Sequence, residues 1–118
     1  MAKEAVSIMP VDREFYESRI RDFLPGEIFD AHCHIWLHRL RTGVKRAKAG
    51  ASRVAAWPMK VARDCSIEDM LSMHRLMFPG RKVRSLAFSY AEQGDNLDPL
   101  NEYTRGVAAW MGGDLAGA

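Results

Sequence analysis

The chain is most constrained by a ten-residue run, Glu27-Ile28-Phe29-Asp30-Ala31-His32-Cys33-His34-Ile35-Trp36, which follows immediately on Pro25-Gly26. A short, mainly apolar segment bounded by turn residues predicts a buried β-strand. Strict alternation would put Ile28, Asp30, His32, His34 and Trp36 on one face, and Phe29, Ala31, Cys33 and Ile35 on the other. The second face is wholly apolar, while the first turns polar toward the strand's C-terminal end. Two imidazoles one pleat apart, roughly 6.5 Å along the strand, can lean together onto a single divalent cation.

The flanking sequence alternates helix and strand signals. Asp12 predicts a helix cap, with Phe15, Tyr16, Ile20 and Phe23 sharing a face up to about Leu24. Ser66-Ile67-Glu68-Asp69 has the pattern of a capping box. Ile67, Met70, Leu71, His74, Met77 and Phe78 then recur at helical spacing until Pro79-Gly80. Val83 to Tyr90 reads as a second strand. Asp98-Pro99 opens a last helix that runs to about Met111 and closes at Gly112-Gly113. Helix, strand, helix, strand, helix indicates βα units and a parallel sheet. The expected organisation of residues 1–118 is one partial domain: a leader with its helix over 1–26, the first strand and a long basic loop over 27–65, and helix, strand, helix over 66–118.

With 118 residues and 47% hydrophobic content, the chain can build one small core. The net charge of +2 does not argue for nucleic acid. It is unevenly spread: Leu37 to Asp64 carries +7, leaving −5 elsewhere. The densest part, Lys45-Arg46-Ala47-Lys48, is read as a solvated loop, with polyanion binding as the sharper alternative. Cys33 and Cys65 form neither a C-x-x-C pair nor a disulfide framework. No signal-peptide or membrane-span pattern is visible, so the expectation is a cytoplasmic protein with no membrane partner. Met70, Met73 and Met77 read as helix packing, His74 as a packed, hydrogen-bonded residue, and His38 as solvent-exposed.

Asp30-x-His32-x-His34, together with Phe15-Tyr16, Phe23-Leu24-Pro25 and Ile35-Trp36, resembles the opening of the amidohydrolase superfamily. The likeness is greatest to its amidohydrolase-related branch of metal-dependent hydrolases and some decarboxylases. The resemblance implies an α/β fold: a (β/α)8 TIM barrel, of which this chain would be an incomplete, N-terminal fragment of about two βα units behind an N-terminal helix. A full barrel takes about 250 residues. It also implies that His32 and His34 hold the metal, zinc first, with manganese or iron as alternatives. Asp30 would then orient an imidazole, and Trp36 would either line a pocket for a small-molecule substrate or pack as a large aromatic at the barrel mouth. No catalytic base can be named. A catalytic zinc takes three protein ligands and a water, so two histidines make half a site.

Related readings are a decarboxylase, a uronate-isomerase-like enzyme or a metal-dependent deoxyribonuclease. From another class come a non-catalytic remnant, a polyanion-binding module, or one half of a split enzyme completed by another chain. A fragment of this kind would leave strand edges and apolar faces open, which predicts self-association.

Overall fold

The computed structural model describes residues 7–43, 63–92, 94–111 and 115–117. Its elements in chain order are α1 (Pro10–Phe15), β1 (Glu27–Ile35), a 3-10 turn (His38–Leu40), α2 (Ile67–Met77), β2 (Lys82–Ser89), α3 (Leu97–Met111) and β3 (Leu115–Gly117). The strands form one parallel sheet in the order β1-β2-β3. The chain is therefore a small α/β unit whose strands are neighbours in sequence order. The short β3 was not foreseen from Leu115-Ala116-Gly117, three residues with almost no β-propensity of their own. It is recruited by pairing with Ser85 to Ala87 of β2. Among the described residues, no helix is long and apolar enough to cross a membrane.

Both long helices pack on the same face of the sheet. Ile35 and Ala87 from the strands meet Ile67 and Met70 of α2 and Val107 of α3, with Cys33, Leu71, Met73 and Tyr103 at the margin. Met70 and Met73 are thus packing residues, whereas Met77 is 51% exposed. Two hydroxyl groups, one half-buried and one buried, fasten α3 to β2. Ser89 Oγ donates to Leu100 O at 2.8 Å and lies 2.6 Å from Thr104 Oγ1, itself only 1% exposed.

The predicted helix starts hold in two cases with small displacements. Ser66 caps α2 as expected: its Oγ accepts from Asp69 N at 3.2 Å while Asp69 Oδ2 accepts from Ser66 N at 2.9 Å. Gly80, at φ +75°, ends the turn after α2 in a conformation that favours glycine. α3 begins at Leu97, one residue before Asp98, and Asn96 rather than Asp98 caps it, its Oδ1 accepting from the Asp98 N–H at 3.1 Å.

The first helix departs further from expectation. It starts at Pro10, with Asp12 in its third position accepting from Met9 N, so Asp12 is not the N-cap. A π-helical turn over Tyr16–Ile20 then shifts the phase of the following residues. Tyr16 is buried, but Phe15 and Phe23 are 58% and 86% exposed, so the four aromatic and aliphatic residues do not share a buried face.

A clasp joins the segment after the 3-10 turn to the β2–α3 loop. Arg41 Nε donates to Asp95 Oδ2 at 3.2 Å, and Gly43 N donates to Asp95 Oδ1 at 2.7 Å. Both charged side chains are covered. Burial raises the Asp95 pKa, but hydrogen bonds from the Glu92 and Gly43 N–H groups and from Arg41 outweigh it and hold the carboxyl below its ordinary range. Residues 44–62, including most of the basic stretch and Trp57-Pro58, lie outside the described residues, as does Gly112-Gly113.

A Cβ at Gly43 would collide with the backbone of Gly94 and Asp95. Gly43→Ala is expected to destabilise the protein by about 1–3 kcal/mol in denaturant titrations, since backbone must move to accept it. An unchanged midpoint would show that the clasp is not closed in solution.

Candidate metal centre

The pairing of β1 with β2 contains one irregularity, and it sits at the histidines. Asp30 is level with Ser85 and Cys33 with Ala87, so β1 spends three residues where β2 spends two. This is a β-bulge. It reverses the phase of alternation, because an odd insertion turns every later side chain to the other face. The burial pattern follows: Ile28 and Asp30 are half-buried, then Cys33 and Ile35 face the helices, while His32 and His34 are exposed.

Asp30 is therefore not on the histidine face, contrary to simple alternation. Ile28, Asp30, Cys33 and Ile35 face α2, and His32 and His34 face away from both helices. Cys33 confirms its side by contact: its Sγ lies 3.4 Å from Met70 Sδ. Burial raises its thiol pKa, with the Asp30 charge adding to the effect. Cys65 is pushed up to about 11, chiefly by burial. Neither thiol is a ready thiolate.

The bulge leaves a backbone N–H off the ladder, and Asp30 accepts it. Its Oδ1 takes the His32 N–H at 3.1 Å. Its other oxygen lies 3.7 Å from Nε2 of His74 on α2. Asp30 thus positions His32 through the main chain, and the imidazole it faces is that of His74 rather than that of His32 or His34. His74 is a packed residue, as its place on the apolar helix face suggested.

On the opposite face the two rings converge. His32 Nε2 and His34 Nε2 are 3.1 Å apart, and the ring centroids are 5.0 Å apart at 66°. Two nitrogens held about 2.0–2.1 Å from a tetrahedral zinc are roughly 3.3 Å apart. The pair fits that spacing. With one Nε2 protonated, it also fits an N–H···N hydrogen bond that keeps the rings together without an ion.

Side chains of β2 form the floor. Phe88 is level with His34 in the ladder, and its ring lies 5.1 Å from that of His32. Tyr90 meets His34 edge-on at 6.0 Å. Trp36 lies 5.7 Å from Tyr90, and Arg41 stacks over the Tyr90 ring at 5.1 Å. Trp36 is also tied down: its Nε1 donates to Arg63 O at 3.1 Å, and its backbone exchanges two hydrogen bonds with Cys65. Trp36 accordingly stands at the rim beside the histidines. Tyr90 and Arg41 were not singled out from sequence. The available signal was Tyr90's parity with Phe88 at the C-terminal end of the second strand.

Among the described residues, no group of three or more His, Cys, Asp or Glu side chains is placed to hold a metal ion. The described part of the site is a two-imidazole half-site. His38 lies outside it. It is half-buried rather than exposed, with its N–H donating to Asp64 Oδ1 at 2.6 Å and its Nδ1 buried with no hydrogen-bond partner among the described residues.

The His74 environment makes a pH prediction. Burial lowers its pKa below the ordinary 6.5, and Asp30 only partly opposes this. Below pH 6.5 the unfolded chain then binds a proton that the folded chain resists. Stability is fully present above that pH and is lost as pH falls through the folded value. Thermal melts should show a lower midpoint at pH 5.5 than at pH 7.5, and His74→Gln should shrink the difference. An unaltered difference in that variant would assign the pH dependence to other groups.

Comparison with family models, curated proteins and solved structures found no match for this chain.

Proposed function

We propose that this chain carries the first metal-gripping strand of an amidohydrolase-type, metal-dependent hydrolase, as an N-terminal part of a (β/α)8-type barrel. The observation that supports this most is the convergence of His32 and His34 at 3.1 Å on the sheet face turned away from the helices. In a barrel that face is the interior, and active sites gather at the C-terminal ends of the strands. The sequential parallel order β1-β2-β3 and the placement of α2 and α3 on one face are what consecutive barrel staves would have.

In this reading His32 and His34 hold a divalent ion, zinc in the first instance, through Nε2. Such an ion supplies Lewis-acid polarisation of a carbonyl and lowers the pKa of water from 15.7 in bulk to about 7. Asp30 keeps the bulge, and with it the aim of His32. Phe88 and Tyr90 supply an apolar floor that restricts ring rotation, and Trp36 and Tyr90 form a rim against which a small-molecule substrate rests. The chemistry calls for a third protein ligand and a proton-transfer group, neither of which is among the described residues.

The test is metal uptake by the purified chain, followed by competition with a chromogenic chelator. Wild type should retain zinc, and His32→Ala/His34→Ala should lose at least about 100-fold in affinity. Asp30→Ala should lose about 10–100-fold, the range for residues that position a ligand. Equal uptake by wild type and the double histidine variant would overturn the proposal.

A further inference from the structure

We propose that His74, on α2, is a positioning residue of the metal centre on the far side of the sheet. It holds the Asp30 carboxylate in the orientation that fixes the His32 main chain, and so the aim of the His32 ring. The inference rests on the metal reading above. It gives a role to a side chain that lies across β1 from both ligands.

Three observations carry it. The first is where β1 is held least. The register is interrupted between Asp30 and Cys33, so Ala31 and His32 have no partner in the β1–β2 ladder, whereas His34 is level with Phe88. The ladder therefore fixes the main chain of His34 but not that of His32. The His32 N–H goes instead to Asp30 Oδ1 at 3.1 Å.

The second is the reach of Asp30. While one oxygen holds the His32 N–H, the other lies 3.7 Å from His74 Nε2. The last torsion of an aspartate side chain is broad, so a single hydrogen bond leaves the carboxylate free to swing. A donor facing the second oxygen restricts that swing. The separation is roughly half an ångström beyond a hydrogen bond. Cys33, Met70 and Met73 line the same cavity as the pair, and such apolar surroundings strengthen the attraction.

The third is that His74 is itself held. Its side chain is only 12% exposed, and it stands one turn along α2 from Met70, a core residue. Burial also keeps the ring uncharged at neutral pH, so it faces Asp30 as an N–H dipole. Glutamine can offer a similar N–H; alanine and leucine cannot.

The two ligands are thus aimed by different means. His34 is set by the ladder, and His32 by a relay that runs through Asp30 to the helix. Removing His74 loosens the relay while leaving every ligand in place.

Zinc affinity of the purified full chain, measured by chelator competition, tests this together with amide hydrogen exchange followed by NMR without metal. His74→Ala should weaken zinc binding about 3–10-fold, less than the 10–100-fold typical of a residue bonded directly to a ligand. In that variant the His32 amide should exchange several-fold faster, with the His34 amide unchanged. His74→Gln should return both readouts to near wild type. With Asp30→Ala already present, His74→Ala should have no further effect on zinc affinity. His74→Leu, which keeps the bulk and lacks the N–H, takes the place of His74→Ala should the smaller side chain misfold.

Unchanged zinc affinity in the alanine or leucine variant would overturn the role of His74 and leave the metal reading standing. So would a loss of equal size with Asp30 already removed, or a like acceleration of the His32 and His34 amides. Absence of zinc uptake by wild type would overturn both.

Discussion

The arrangement at the histidines depends on one extra residue in β1. Without the bulge between Asp30 and Cys33, the phase set by Ile28 and Asp30 would continue. Asp30 and both histidines would then share a face, and Cys33 and Ile35 would turn away from the helices. Burial makes that alternative costly: Ile35 has no exposed surface and packs on Ile67 and Met70, so its loss from the core would cost roughly 2–5 kcal/mol. The bulge allows Asp30 and Ile35 to face the same way while the imidazoles face the other. Asp30 stabilises it by accepting the N–H that the ladder leaves over.

From this follows a division of labour between the two sheet faces. The helix side holds the sulfur and aliphatic side chains, among them the half-buried Cys33 thiol, and the Asp30–His74 contact. The opposite side holds His32, His34 and the aromatic residues of β2. His74 and the histidine pair lie on different sides of the same strand, connected through Asp30 and the His32 main chain. The His32 and His34 imidazoles are thus kept out of the core, where an imidazole without a partner would be costly.

Much of the fold was legible because its signals are local. Pro25-Gly26, the Ser66–Asp69 box and Pro79-Gly80 each act within one turn of chain, and the elements between them stand where periodicity put them. The phase of β1 was not legible. A bulge is set by register against β2, and the residues of β1 alone carry no mark of it apart from an acid able to cap the stray N–H. β3 was missed for a related reason: Leu115-Ala116-Gly117 becomes a strand only because β2 presents an open edge. At the site, the convergence of His32 and His34 was readable from their spacing of two, which the irregularity between Asp30 and Cys33 leaves intact. The position of Asp30 was not, since it lies before it. The clasp of Arg41 with Asp95 joins residues 54 positions apart, a distance no local pattern spans.

Gly43 and Cys65 are two fixed points of the described chain. On one side Gly43 is pinned to Asp95, and on the other Cys65 is stitched to Trp36 by paired main-chain bonds. Both moorings use main-chain groups of the anchored residues, so a side-chain substitution at Trp36 or Cys65 leaves the paired bonds available, whereas loss of the Asp95 carboxylate takes away the acceptor of the Gly43 N–H.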